Sequence, residues 1–248
     1  MLEHFKIDLP GLYIVVDCPW HGIGALIGSA VSWLSSGRPS YVYASNHLYH
    51  PRGNDPCNKW DWFFNQSLLD IPYNIKIGRD ESKFSFNAGL NSKIVDHYRY
   101  LINNQWSIKE DLISEAKSFL PGGRTLGVHY RGTDKVTEIP RPSINLVADY
   151  ITNLISERDL DNVLIATDDD RALISLRSKL DFPVFWFKPH IRGDIDIGIH
   201  RYKGSYRQAR ETMVEILAIG MCEHMLVGRS SVSEAMLFLG NCGFTYYN

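Results

Sequence analysis

Apolar and polar positions in the second half of the chain come in blocks. Short apolar runs at Thr125 to His129, Asn162 to Ala166, Pro183 to Phe187 and Met225 to Val227 are each followed by a polar loop and then by residues at helical spacing. Runs that are apolar on both faces read as strands of a parallel sheet buried between helices. Helices are expected from about Ser143 to Glu157, from Asp168-Asp169-Asp170 to about Leu180, from about Arg207 to Cys222, and from Ser230-Ser231 to Leu239. Such alternation predicts a sheet that binds its ligands along one edge.

The first half is less regular. Leu12 to Val16 and Ser40 to Ala44 read as strands flanking a helix from Ala25 to Ser36, which Gly37 would cap. Lys93 to Asn103 and Ser107 to Leu120 suit helices, the second with Ser107 as N-cap and Glu110 at the capping-box position. The segment from His47 to Trp62 is irregular, and Trp60, Trp62, Phe63 and Phe64 are expected to form a small apolar cluster beneath it. Pro121-Gly122-Gly123 breaks the chain just before the central strand. The expected fold class is therefore α/β, with two facing Rossmann-like domains at residues 1–121 and 122–248. Each would be a parallel sheet with helices on both faces.

Candidate chemistry gathers at three strand ends. Past the central strand come His129, Arg131, Asp134 and Lys135, within seven residues. Arg131 offers a planar fork suited to phosphate and Lys135 a point charge. After the next strand come Asp168, Asp169 and Asp170; after the last, Ser230 and Ser231 open a helix, where hydroxyls and backbone amides can meet an anion. Each loop also has a plain structural reading, as a solvated Asp–Lys pair or an ordinary helix cap. The convergence on one edge is what suggests a site.

At the other end of the chain, Gly22 and Gly24 open the first helix. They could meet a phosphate or sugar, or equally serve a turn and tight helix packing. A dinucleotide fingerprint is not met: Cys18 to His21 intervene after the strand, and the second strand ends in Ala44-Ser45-Asn46 rather than an acidic residue.

Composition narrows the partners. A net charge of −2, with 22% charged and 44% hydrophobic residues over 248 positions, gives no basic face for nucleic acid or acidic membranes. A phosphate site must be local. Cys18, Cys57, Cys222 and Cys242 form no CxxC and suit free thiols in a reducing compartment, although two disulfides are also compatible. His47-x-x-His50 has no further donors nearby, so no metal site is read. Residues Met1 to Lys6 lack the character of a signal peptide, and no stretch approaches the ~20 apolar residues needed to span a bilayer. A cytoplasmic location is expected.

The run Val128-His129-Tyr130-Arg131-Gly132-Thr133-Asp134-Lys135-Val136 resembles the donor-binding motif of the α1,6-fucosyltransferase family, which includes core and rhizobial nodulation enzymes. There a His-x-Arg-Arg-Thr-Asp-Lys run binds GDP-fucose. Ala166-Thr167-Asp168-Asp169 matches the family's Ala-Thr-Asp-Asp-Pro, and Gly198-Ile199-His200-Arg201-Tyr202 its Gly-Leu-His segment. Glu215 falls where the family has a guanine-contacting Asp. Gly228 to Glu234 resembles its phosphate loop, and Gly22 and Gly24 its first-helix glycines.

The resemblance implies a GT-B type fold and an inverting, metal-independent transfer of fucose from GDP-fucose to a glycan acceptor, with no further cofactor. It assigns His129, Asp134, Lys135, Asp168, Asp169, Glu215, Ser230, Ser231, Gly22 and Gly24 to the GDP-sugar, and Arg131 with Glu138 to catalysis. Two departures stand out. Gly132 replaces the family's second arginine, and Glu138 lies one position out of register with its proposed base. The alternatives are a metal-dependent single-domain glycosyltransferase using Asp168 to Asp170 and a nucleotide-sugar-binding protein without chemistry.

Overall fold

The protein, as a computed structural model, is described over residues 4–9, 12–16, 22–35, 40–43, 59–66, 77–80, 90–132, 142–188 and 206–247. The first half contains β1 (His4–Leu9), β2 (Leu12–Val16), α1 (Ile23–Ser35), β3 (Ser40–Tyr43), β4 (Phe64–Asn65), β5 (Ile77–Asp80), α2 (Ser92–Gln105), β6 (Ser107–Ile108) and α3 (Glu110–Ser118). The second contains β7 (Thr125–Tyr130), α4 (Ile144–Arg158), β8 (Asn162–Thr167), α5 (Asp170–Arg177), β9 (Val184–Trp186), α6 (Tyr206–Gly220), β10 (His224–Val227), α7 (Ser231–Leu239) and β11 (Gly243–Tyr246).

The C-terminal sheet is parallel throughout, in the order β11-β10-β7-β8-β9. β7, β8 and β10 are buried along their whole length, as strands covered on both faces must be. Side chains alternate between two cores. Leu126, Val128, Tyr130, Val163 and Ile165 pack against α4 and α5. Leu164, Ala166, Met225 and Val227 face α6 and α7, and that second core continues without a break into α1, α2 and α3. Arg99 of α2 donates to the carbonyls of Leu237 and Cys242, both at 2.8 Å. Arg210 of α6 is clamped by Asp111 and Glu115 of α3 at 2.8 and 2.7 Å.

The N-terminal sheet, order β3-β2-β1-β5, is mixed. β2 runs parallel to β3 as the β-α-β reading requires, but β1 is antiparallel to both β2 and β5. The register of β1 with β2 runs from Phe5↔Val16 to Leu9↔Leu12.

One helix start is corrected. Ser107 is not an N-cap: it lies in β6, paired with β4 through Asn65↔Ser107, and its hydroxyl accepts from Asn65 Nδ2 at 3.2 Å. α3 begins at Glu110 with Lys109 as a cap that makes no side-chain bond. The aromatic cluster forms as expected. Trp60, Phe63 and Phe64 are buried, with Trp60 stacked on Phe64 at 4.2 Å and edge-on to Trp106.

Candidate functional site

The strand order places a topological switch point between β7 and β10. From β7 the chain moves outward through β8 to β9, then returns to the far side of β7 as β10 and β11. Loops leaving the two strands go to helices on opposite faces, which opens a crevice at their carboxyl ends, the usual ligand position in sheets of this kind. His129, Arg131 and Gly132 stand at one lip, Gly228, Arg229 and Ser230 at the other.

His129 is 7% exposed and faces α7, in register with Val227. Its Nδ1 lies 2.7 Å from Ser233 Oγ. Burial pushes its pKa down to about 4; Asp168 pulls in the opposite direction and Arg131 adds to the depression. The imidazole is therefore neutral at physiological pH. Its backbone carbonyl accepts from the buried Tyr247 hydroxyl at 2.7 Å, which ties the end of β7 to the residue after β11.

Asp168, at the end of β8, works in two directions. Oδ1 accepts from the Gly132 amide at 2.8 Å, and Oδ2 stands 3.8 Å from Arg131 Nε. The carboxylate thus fixes the loop that carries the guanidinium and faces it. Asp169 caps α5, accepting from the amides of Arg171 and Ala172 at 2.9 and 3.1 Å, as an aspartate before a helix should. Asp170 lies in the helix's first turn. Beside them a cavity of about 390 Å³ is lined by Tyr130, Pro142, Ser143, Ile144, Asp169, Arg171 and Ala172.

Ser230 is the N-cap of α7, its Oγ accepting from the Ser233 amide at 3.0 Å. Gly24 of α1 meets the neighbouring residue: a Cβ placed on it would stand 2.7 Å from the carbonyl carbon of Ser231. Gly22, just before α1, accepts from the Leu26 amide. His129 thus reaches Ser233 in the helix that Ser230 caps, Arg131 faces Asp168, and Gly24 backs Ser231.

Glu215 is half-buried in the second half of α6. At 1.5 Å per residue it lies about 13 Å along the helix from Tyr206, toward the foot of the sheet, where the Glu223 amide bonds Thr125. Asp134, Lys135, Glu138 and the Gly198 to Tyr202 segment lie outside the described residues, as do His47, His50, Cys18 and Cys57. Cys222 and Cys242 are free thiols. Among the described residues no three His, Cys, Asp or Glu side chains come together as a metal-ligand set, and no helix is long and apolar enough to cross a membrane.

Two contributors escaped the sequence reading, Ser233 and Tyr247. Ser233 lies within the serine-rich loop motif, so a helical projection from Ser230 could have found it. Tyr247 follows a strand that carries no strong pattern.

A parallel sheet with such an edge, packed through α1, α2 and α3 against a second sheet-bearing half, has the α/β architecture of a GT-B type fold. No family model and no curated protein matches the chain. Among solved structures, the NodZ alpha-1,6-fucosyltransferase co-crystallized with GDP aligns with a TM-score of 0.54 at 12% identity, covering 94% of this chain and 93% of that one. Fucosyltransferase NodZ from Bradyrhizobium aligns at 0.51 and 12%, covering 94% of each. POFUT1 in complex with GDP-fucose aligns at 0.43 and 10% over 63% of this chain, which spans about half that protein's length (50%). The NodZ likeness runs nearly end to end and, at that identity, is a likeness of fold.

Proposed function

We propose that this chain is a glycosyltransferase that moves fucose from GDP-fucose to a glycan hydroxyl, with inversion and without a metal ion. The observation that carries the reading is the pairing of Arg131 with Asp168 at the end of β7, beside the neighbouring strand end whose helix, capped by Ser230, receives His129 through Ser233. The donor would lie across that crevice in the half formed by residues 122–248, with the acceptor approached from residues 1–121.

In the transfer, the acceptor oxygen attacks the anomeric carbon as the bond to the β-phosphate breaks and GDP leaves. Its charge grows on the phosphate oxygens, so the protein's task is to hold donors and cations where that charge develops. Arg131, oriented by Asp168, and the amides at the start of α7 suit this work. Lys135 would supply a second cation, Asp134 would address the sugar, and Glu138 would take the acceptor's proton. Glu215 is assigned to the nucleotide on the family pattern alone. Asp168 and Asp169 are already committed, to Gly132 and Arg131 and to the α5 cap, which favours the metal-free reading over the Asp-metal one.

A thermal-shift panel of GDP, UDP, dTDP and CMP tests the nucleotide, and GDP release from GDP-fucose over an acceptor panel tests the chemistry. GDP alone should raise Tm, and Arg131→Ala should cut turnover by two orders of magnitude or more, about 3 kcal/mol of transition-state binding. GDP binding with no release under any acceptor would leave a nucleotide-sugar-binding protein. Near-normal turnover in Arg131→Ala would remove the central assignment.

A further inference from the structure

The proton on His129 is fixed by the residues around it. The Ser233 amide donates to Ser230 Oγ, so one lone pair of that oxygen is used by the helix cap. Ser230's own hydroxyl hydrogen has one acceptor among the described residues, Ser233 Oγ at 3.1 Å. A hydroxyl carries a single hydrogen. Ser233 Oγ therefore receives Ser230's hydrogen and turns its own toward His129 Nδ1, 2.7 Å away. Nδ1 must then be the unprotonated ring nitrogen, and the ring hydrogen sits on Nε2. Among the described residues Nε2 has no hydrogen-bond partner, although the side chain is more than nine-tenths buried.

The charged groups that face the ring support the same state. Arg131 on β7's own loop opposes a second positive charge, and Asp168 from β8 favours one. From α7 the neutral Ser233 hydroxyl meets the ring. Burial decides the balance for the neutral form.

We propose that Ser233 is a positioning residue. With Ser230 it forms a two-hydroxyl relay that holds His129 as a neutral imidazole presenting Nε2–H, as a fixed donor, to an oxygen of the nucleotide donor. The relay's use rests on the GDP-sugar reading above; its existence does not. His129 then contributes direction without charge, and neutralising the diphosphate falls to Arg131 and the other cation proposed above. A hydrogen bond from a preset tautomer also spares the ligand the cost of selecting one.

The test uses the full chain labelled with ¹⁵N at histidine, without ligand, at pH 7. The His129 ring, assigned by its loss in His129→Asn, should show an unprotonated Nδ1 and a protonated Nε2. The opposite tautomer, or an imidazolium, overturns the relay, and neither result depends on any nucleotide. Ser233→Ala should let the ring exchange tautomers and weaken GDP binding by about five- to tenfold, the scale of one hydrogen bond. Ser233→Thr, which keeps the hydroxyl, should restore most of it. Wild-type affinity for GDP in a folded Ser233→Ala variant would show that the relay does not serve the nucleotide. If the wild type shows the expected tautomer but no GDP binding, the donor reading fails while the relay stands.

Discussion

Gly24 and Ser231 are pressed together backbone to backbone, the second residue of α1 against the first of α7. A Cβ on Gly24 would come within 2.7 Å of the Ser231 carbonyl and of the Val232 nitrogen. Neither partner is a flexible side-chain end that could swing away. Gly24→Ala should therefore push α1 off α7 and destabilise the fold by about 1–3 kcal/mol, roughly 2–12 °C in Tm for a chain of this size. Gly122→Ala, where nothing lies within 4 Å of the added carbon, is the control. Equal Tm values for the two variants would contradict the packing. Because Ser231 belongs to the candidate phosphate loop, Gly24→Ala should also weaken GDP binding.

Gly132 has a similar constraint with a functional edge. A Cβ there would overlap the Asp169 side chain, which is held in place as the cap of α5. An arginine here, as in the motif that this run resembles, is thus excluded by the cap. Gly132→Arg is expected to lower Tm and to leave GDP affinity no better than wild type. Tighter GDP binding with an unchanged Tm, by titration calorimetry and thermal melt, would show that the loop has room for it.

The central parallel strands were legible because β7, β8 and β10 are buried on both faces, so their residues carry an unbroken apolar run. Helix starts at Ser143 and Ser230 were legible through side-chain capping, which is local chemistry. Ser107 misled for the same reason. It had the residue type and spacing of a cap, but a distant partner, Asn65, claimed its hydroxyl and drew it into a strand. β1 went unread although His4 to Leu9 alternates polar and apolar residues, and β5 and β11 are short and take their place from pairing with distant strands. In the site, strand-end logic placed Arg131 beside Asp168 and the loop of Ser230 at the end of the neighbouring strand. Which hydroxyl meets His129 depends on how α7 lies against β7, and no sequence spacing encodes that.

Two buried histidines make stability depend on pH. His224, at the foot of β10, bonds Thr245 Oγ1 at 2.9 Å. Its pKa falls to about 4 through burial, with the Arg158 charge a second cause. His129 falls to about 4 as well. Both lie below the unfolded value of about 6.5, so the unfolded chain takes up these protons first. The stability from keeping both rings neutral is fully present above about pH 6.5 and is lost as pH falls toward 4. Urea midpoints should therefore drop between pH 7 and pH 5. His224→Asn should flatten part of that slope, and an unchanged slope would mean that the ring is not held neutral in the fold.

The last expectation separates the two enzymatic readings at Asp168. Its Oδ1 takes the Gly132 amide and its Oδ2 faces Arg131, so the carboxylate is a scaffold for the guanidinium. Asp168→Asn keeps a carbonyl oxygen for the Gly132 amide and loses the charge opposite Arg131. Fold and Tm should stay close to wild type, while turnover falls because the arginine is less well oriented. If an enzyme of the metal-free kind is at work, both wild type and Asp168→Asn should be indifferent to EDTA. An Asp-metal enzyme would instead lose activity in EDTA and regain it with Mn²⁺, and Asp168→Asn would abolish that recovery. GDP-release rates measured with EDTA and with added Mn²⁺ decide between them, since a carboxylate that orients an arginine and one that ligates a cation cannot give the same pair of answers.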